Sequence, residues 1–339
     1  MRPFSFEVAR RLSAVHWVSG ETIARELDVT RATVWLAVRD IERAGARVHR
    51  VRGRGYRLAQ PLSLLDAGAT AELLGRAARR WRIEVHESVD STNRIAFERA
   101  ESGAPDGTVV AAELQRAGRG RLGRAWLSEL GGGLTFSVLW RFRQASAHLS
   151  GLSLAVGVAV ANALRRIGAR DAALKWPNDL VLHARKLGGV LTEIRGDMLG
   201  PSVAVIGIGI NVRLSPALRR RIDQPVADLH DAGVGEVNRN VLLAAILSEL
   251  ATTLERYSES GFPGFRQEWQ ALNALQFRPV RLLLPNRQVV RGKLIGVDDQ
   301  GALRVETAGG GVQRFFSGEL TLRAARSGAS RRAVQPPLA

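Results

Sequence analysis

Residues 118–124 read Gly-Arg-Gly-Arg-Leu-Gly-Arg, and an indole follows at Trp126. Glycine leaves φ and ψ nearly unrestricted, so this stretch has little reason to hold one shape by itself. Only Leu122 is apolar enough to pin it. Its arginines carry planar forks that match a carboxylate or a phosphate. Two readings fit the segment alone: a solvated basic turn, or a loop that is loose when empty and orders over an anionic ligand.

The neighbours bear on that choice. A strand is expected over 106–115, ending at Gln115, and another over 133–142. A strand over 203–212 carries Gly207 and Gly209, which mark either a close approach of backbone to ligand or a bulge. Residues 174–182, Leu-Lys-Trp-Pro-Asn-Asp-Leu-Val-Leu, read as strand, turn, strand, with Pro177 and Asn178 in the turn. A hairpin begins at Arg185-Lys186. Ser88-Val89-Asp90-Ser91-Thr92-Asn93 opens a helix over 94–101, where hydroxyls and amides can cap the helix or bind polar ligand groups. Helices are also expected over 69–80, anchored by Leu73 and Leu74, over 149–167, apolar almost all round and so buried, and over 241–257. This order is not a regular βαβ series, and the glycines at 118–123 do not form a dinucleotide fingerprint.

Composition sets the bounds. The 339 residues suit two or three domains, and 45% hydrophobic content can build a sizeable core. There is no cysteine, which excludes disulfides, thiolate metal sites and a thiol nucleophile and fits a reducing compartment. No apolar run is long enough to span a bilayer, and none near the N-terminus reads as a signal, so a cytoplasmic protein is expected. The net charge of +17 points to nucleic acid first and an anionic membrane surface second. Arginine dominates: Lys175, Lys186 and Lys293 are the only lysines. Lysines kept in such a chain hint that a compact ammonium is needed.

At the N-terminus a helix is expected over 4–18, with Phe6, Val8, Ala9, Leu12 and Val15 apolar. A second follows over 22–27, then the turn 28–30 and a third helix over 31–44, capped by Thr30. Two short helices joined by a three-residue turn make a helix-turn-helix. Asp28 stands at the turn, where glycine is often found. Strands over 47–51 and 55–58 flank Arg52-Gly53-Arg54, the basic tip of a wing. Charge concentrates on the third helix and the wing, which favours DNA binding over a purely protein-contacting role. Arg31, Thr33, Trp35 and Arg39 would read the groove, with Arg52 and Arg54 on the phosphates. At the other end, short strands over 280–284, 288–297, 302–307 and 312–316 suggest a small β-barrel, and the stretch from 323 to 339 is expected to be disordered.

The glycine–arginine loop and Lys175-Trp176-Pro177-Asn178-Asp179, with a winged helix before them and a small β domain after, resemble the bacterial bifunctional biotin protein ligase and biotin-operon repressor family. The resemblance covers roughly residues 5–325. It implies an α+β multidomain chain. A winged helix-turn-helix would span 1–60, and a mixed-sheet α/β ligase domain of the biotin/lipoate type 66–271. An SH3-like β-barrel would follow over 272–325, and a basic tail over 326–339. It implies that biotin and MgATP give biotinyl-5′-AMP and pyrophosphate, and that a lysine of a biotin carboxyl carrier protein then takes the biotin. Carried onto this chain, Ser91, Thr92, Asn93 and Gln115 would bind the biotin ring. Arg119, Gly120 and Arg121 would close over carboxylate and phosphate, and Lys186 would hold both. Trp126, Asn178 and Asn211 would seat the nucleotide, together with Arg119 and Arg121. Asp179 would orient the carrier lysine, Lys175 would stand behind these groups, and no protein metal ligand is assigned. Leu122 stands where some members carry another basic residue. The adenylate would favour a homodimer that represses biotin-synthesis genes through operator DNA. A lipoate-type ligase, and a ligand-sensing transcription factor without ligase activity, are the alternatives.

Overall fold

The protein was analysed as a computed structural model that describes residues 1–196, 200–284, 288–316 and 321–324, the last by backbone alone. The N-terminal unit holds α1 (Pro3–Arg11), α2 (Gly20–Glu26), α3 (Arg31–Arg43) and the hairpin β1 (Val48–Val51)–β2 (Gly55–Leu58). Thr30 Oγ1 accepts from Thr33 N–H and caps α3, and Asp28 takes the left-handed turn at φ 51°. Val34 and Val38 are fully buried. The helix expected over 4–18 stops at Arg11. Ser13 Oγ accepts from the backbone N–H groups of Val15 and His16, a local turn that competes with the helix and leaves Val15 exposed.

Next come α4 (Ala67–Leu74), β3 (Arg82–Val89), α5 (Thr92–Glu101), β4 (Thr108–Gln115), β5 (Gly133–Phe142), α6 (Leu152–Arg166), β6 (Ala173–Lys175), β7 (Asp179–Leu182), β8 (Arg185–Gly196), β9 (Ser202–Asn211), α7 (Pro216–Arg221), α8 (Arg239–Ser260) and α9 (Arg266–Leu272). The helix expected over 69–80 breaks at Gly75, whose φ of 57° ends α4 and leads into a 3₁₀ turn. Leu74 is buried but Leu73 is exposed and anchors nothing. The seven strands are ordered β3-β4-β5-β9-β8-β7-β6, and only β3 and β4 run parallel. Leu134, Phe136, Val138, Ile206, Ile208 and Ile210 pack from one face into a single core with α6 and α8. A smaller cluster under α5 (Ala96, Phe97, Val110, Leu139, Val205) covers one end of the other face.

The linker between these units is clamped. Arg239, 1% exposed, donates to Ser63 O, Gly133 O and Glu113 Oε2, the last at 2.6 Å. Glu113 also accepts from Leu65 N–H.

The C-terminal strands β10 (Pro279–Leu283), β11 (Val289–Val297), β12 (Leu303–Thr307), β13 (Val312–Phe315) and β14 (Thr321–Ala324) correct the expectation of a barrel. Among the described residues they form an open antiparallel sheet, β13-β12-β11-β10-β14, with no closing pair between its edges. The reason lies in what covers it. Val280, Leu282, Leu294, Val297, Leu303 and Val305 join the same core as the seven-stranded sheet, so the apolar face is buried without the sheet folding on itself. Trp176 reinforces this junction, its Nε1–H donating to Gly301 O at 3.0 Å. Arg323 and Ala324 belong to β14; the rest of the expected tail lies outside the described residues.

Candidate active site

The site grows from the sheet face that α6 and α8 leave uncovered. Cross-strand partners point the same way, so the register assigns faces. Ser137 stands opposite Gly207, Gly209 opposite Gly189, and Gly189 opposite Asp179. Three side-chain-free positions therefore open a shallow trough between Ser137 and Asp179.

Lys186 reaches this trough through a bulge. Lys186 and Gly189 lie three apart on β8 and would point opposite ways in a regular strand. The register shifts between Leu180, paired with Gly188, and Val181, paired with Lys186, which reverses the alternation. Lys186 Nζ then lies 2.7 Å from Asp179 Oδ1, the side chains 20% and 19% exposed. The Lys186 backbone is fixed too. Its N–H donates to Pro225 O, its carbonyl accepts from Ala227 N–H, and Asn211 Nδ2 donates to Lys186 O and Ala227 O. Residues 225–231 are held in turn by Arg219, which bonds Asp228 and Asp231, and by Arg185 on Asp231. Burial pushes the Asp231 carboxyl up, but the hydrogen bond and charge of Arg219 outweigh it and leave the group below its ordinary value.

The glycine–arginine loop closes on itself beside the trough. Trp126 N–H donates to Gly118 O at 2.8 Å, and Gly120 N–H to Arg124 O at 2.7 Å. Leu122 sits at the exposed tip with φ 56°. Arg121 turns inward: burial pushes its guanidinium below its ordinary value, and the charge of Asp179 pulls it back up. Arg119 stays exposed and makes no ion pair among the described residues. Gly207 and Gly209 are not bulged, since both registers run unbroken through them. They make room for side chains. A Cβ at 209 would fall 2.6 Å from the Trp126 indole, and one at 207 would fall 2.2 Å from Asn93 Oδ1.

At the far end of the trough Ser91, Thr92 and Asn93 are buried. Ser91 does not cap α5 with its hydroxyl; instead Gln115 Oε1 accepts from Thr92 N–H at 2.8 Å. Ser137 Oγ lies 2.7 Å from Thr92 Oγ1 and 2.6 Å from Asn93 Oδ1.

Comparison with known proteins bears on this geometry. Residues 85–211 match the Biotin/lipoate A/B protein ligase family, residues 9–57 an HTH domain, and residues 277–323 the Biotin protein ligase C terminal domain. The bifunctional ligase/repressor BirA of Escherichia coli is 35% identical over 307 residues, 91% of this chain and 93% of that protein. The chain belongs to the biotin protein ligase family. The bifunctional ligase/repressor BirA of Bacillus subtilis is 29% identical, over 90% of this chain and 94% of its own. The structure of biotin protein ligase from Aquifex aeolicus in complex with biotin and ATP aligns with a TM-score of 0.60 at 30% identity, over 72% of this chain and 99% of that one.

In this ligase the residues expected to act together divide into groups. Lys186 and Asp179 pair, Arg121 lies near enough to feel the Asp179 charge, and Ser91, Thr92, Asn93 and Gln115 form a second cluster on the same trough. Asn178 and Asn211 spend side-chain donors on backbone: Asn178 Nδ2 donates to Val190 O at 2.6 Å. Lys175 pairs with Asp179 across β6 and β7 in register. Sequence reasoning missed Ser137 and Glu193. The available signal was a hydroxyl among apolar residues in Leu-Thr-Phe-Ser-Val-Leu-Trp.

In the N-terminal unit Arg31, Trp35, Arg39, Arg52 and Arg54 are exposed, while Thr33 bonds back to Thr30. The Arg39 guanidinium stacks 4.8 Å over Trp35, and Arg54 and Arg57 lie 5.1 and 4.9 Å over Trp17.

Proposed function

We propose that the chain activates biotin with MgATP and transfers it to one lysine of a biotin carboxyl carrier protein. Family membership supports the reaction, and the pairing of Lys186 with Asp179, with Arg121 near enough to feel the Asp179 charge, is the observation that carries the residue roles. In the first step a biotin carboxylate oxygen bonds to the α-phosphorus, and the bond to the pyrophosphate leaving group breaks. Two anions must approach each other. The Lys186 ammonium and Arg121 guanidinium offset that repulsion and stabilise charge on the phosphoryl oxygens. Arg119, on the mobile-sequence loop, closes over the same anions with Gly120. Trp126, on Gly209, seats the nucleotide beside Asn211 and Asn178. Ser91, Thr92, Asn93 and Gln115 make the biotin-ring end. Mg²⁺ would enter on the ATP phosphates.

In the second step the carrier lysine attacks the acyl carbon and AMP leaves. Asp179 orients the incoming ammonium and helps accept its proton. Loop closure keeps water from the anhydride. Among the described residues no helix is long and apolar enough to cross a membrane; the reading places the chain in the cytoplasm. The adenylate-bound chain pairs as a homodimer and represses biotin-synthesis genes through its winged helix. The domain limits 1–60, 66–271 and 272–325 are part of the same reading. The test mixes protein, biotin, MgATP and a carrier domain and weighs the carrier. A gain of one biotinyl group is expected; no gain with tight biotin binding would favour a regulator without ligase activity.

A further inference from the structure

Around the trough the polar groups satisfy one another. Asn93 Nδ2 donates to Glu193 Oε2 at 2.6 Å, and Ser137 Oγ donates to Asn93 Oδ1 at 2.6 Å. The C-terminal sheet is different. Its inner face joins the core, and its outer face carries rows of like charge. Arg281 on β10 stands directly opposite Arg291 on β11, and Arg323 of β14 takes the opposing position on its other side. Arg304 on β12 stands opposite Arg314 on β13. Like charges placed directly across strands destabilise a sheet. Arg314 pairs with Asp298, but among the described residues Arg281, Arg291 and Arg304 make no ion pair.

An independent observation lies on the same face. Phe277 is 62% exposed and holds φ at 59°, a conformation that bulky side chains rarely adopt. Lys293 Nζ lies 5.7 Å over its ring, and Lys293 shares the face of Arg291, two residues along β11. Phe316, 58% exposed, lies in the same way under the Arg314 guanidinium at 5.5 Å. Strain that holds an aromatic ring in water does nothing for the core, and strain of this kind gathers at ligand sites.

The chain itself supplies no occupant. Residues 325–339 carry Arg326, Arg331 and Arg332 and no acidic side chain, so they would add to the repulsion. A second copy laid on the same face would double the charge. Cations in rows with exposed rings beside them match an unpaired polynucleotide: phosphates meet the guanidinium forks, and base faces stack on the rings. A duplex hides its base faces, an acidic protein surface leaves the rings unused, and RNA is the nucleic acid whose unpaired bases proteins read by stacking. We propose that the outer face of the C-terminal sheet binds single-stranded RNA, with Arg281, Arg291 and Arg304 on the phosphates and Phe277 and Phe316 against the bases. This surface shares no residue with the trough or the winged helix.

The experiment follows the anisotropy of a labelled, unstructured RNA of about 20 nucleotides, longer than the sites such surfaces occupy, with the full chain across a salt series. Arg281→Ala combined with Arg291→Ala is expected to weaken binding about tenfold. It should lower the slope of log affinity against log salt by about 1.4, two phosphates at about 0.7 each. Phe277→Asn gives the left-handed position a residue that tolerates it, so folding is not at risk. It should still weaken RNA binding about tenfold through lost stacking, with the slope kept. RNA affinity unchanged in both variants overturns the proposal. So does RNA binding lost in Arg39→Ala or Arg54→Ala and kept in these variants, which puts the strand on the winged helix. A raised KM for the carrier domain with RNA binding intact makes the face a dock for an acidic protein and overturns it too. Duplex DNA of the same length that competes through Arg281 and Arg291 as well as RNA does has the same consequence.

Discussion

Lys186 and Asp179 meet at 2.7 Å because β8 carries one more residue than β7 needs. In a regular strand Lys186 would point into the face packed by α6, where an ammonium has no solvent. The bulge thus puts the positive charge in the trough, paired with Asp179. Lys186→Ala is expected to slow adenylate formation by about 100- to 1,000-fold, the usual worth of a group that stabilises developing charge. Pyrophosphate release in a stopped assay measures it. Lys186→Arg should not restore the rate, because the larger planar fork does not fit a space bounded by Asp179 and Gly189. An alanine variant with undiminished release would remove Lys186 from the chemistry.

Gly207 and Gly209 stand two apart on β9 and do different jobs. Gly209→Ala would press on the Trp126 indole, and Gly207→Ala on the Asn93 amide. The first is expected to raise the KM for ATP more than that for biotin, and the second the reverse. Each shift should be about tenfold, in line with the 1–3 kcal/mol that overpacking costs. Initial rates with one substrate varied at a time decide it. Equal shifts in both variants would mean that the trough does not divide into two ends.

How much of this was legible in the sequence follows the range of the forces involved. Local signals were read well: Thr30 capping α3, Asp28 in the left-handed turn, the Arg52–Arg54 wing tip, and strands at 133–142 and 203–212. The family was legible too in the loop and in Lys175–Asp179, since residue types and order carry that likeness. Tertiary coverage was not. Alternation in β10 announces one apolar face but not that the catalytic core covers it, so an open sheet was read as a barrel. Nor does sequence disclose that Gln115, from another strand, would satisfy Thr92 N–H and leave Ser91 without a capping bond. The Ser137 and Glu193 connections span 44 and 100 residues, and no local pattern encodes them.

Acid should loosen the segment behind Lys186. The Asp231 carboxyl titrates below its ordinary value in the folded chain, so its stabilising effect is complete above about pH 4, the ordinary carboxylate range. It is lost as pH falls through the lower folded-state value. Urea midpoints of the wild type and Asp231→Asn should differ by a constant amount from about pH 5 to 8 and converge below about pH 4. A gap that persists unchanged at lower pH would show that the Arg219–Asp231 pair does not carry the difference.

Glu113 and Arg239 form the most deeply buried ion pair described, with side chains 3% and 1% exposed. Removing one partner leaves the other charge without compensation, which costs about 3–5 kcal/mol. Glu113→Gln is expected to lower unfolding stability by that order, read from urea curves. Because Glu113 also receives Leu65 N–H, the linker 63–65 should become open to proteolysis in the same variant. Cleavage at the wild-type rate would show that the clamp is set elsewhere.

The wing provides a separate check on the DNA reading. Arg54 and Arg57 both lie over Trp17, so one aromatic ring holds two basic side chains in place. Arg54→Ala removes a phosphate contact and should weaken binding to any duplex, lowering the slope of log affinity against log salt by about 1. Trp17→Ala leaves both charges but frees them. It should weaken binding through ordering cost while keeping most of the slope. Fluorescence anisotropy of a labelled duplex across a salt series separates the two. If Arg54→Ala leaves the slope untouched, the wing does not lie on the phosphates, and the basic charge of residues 1–60 serves another partner.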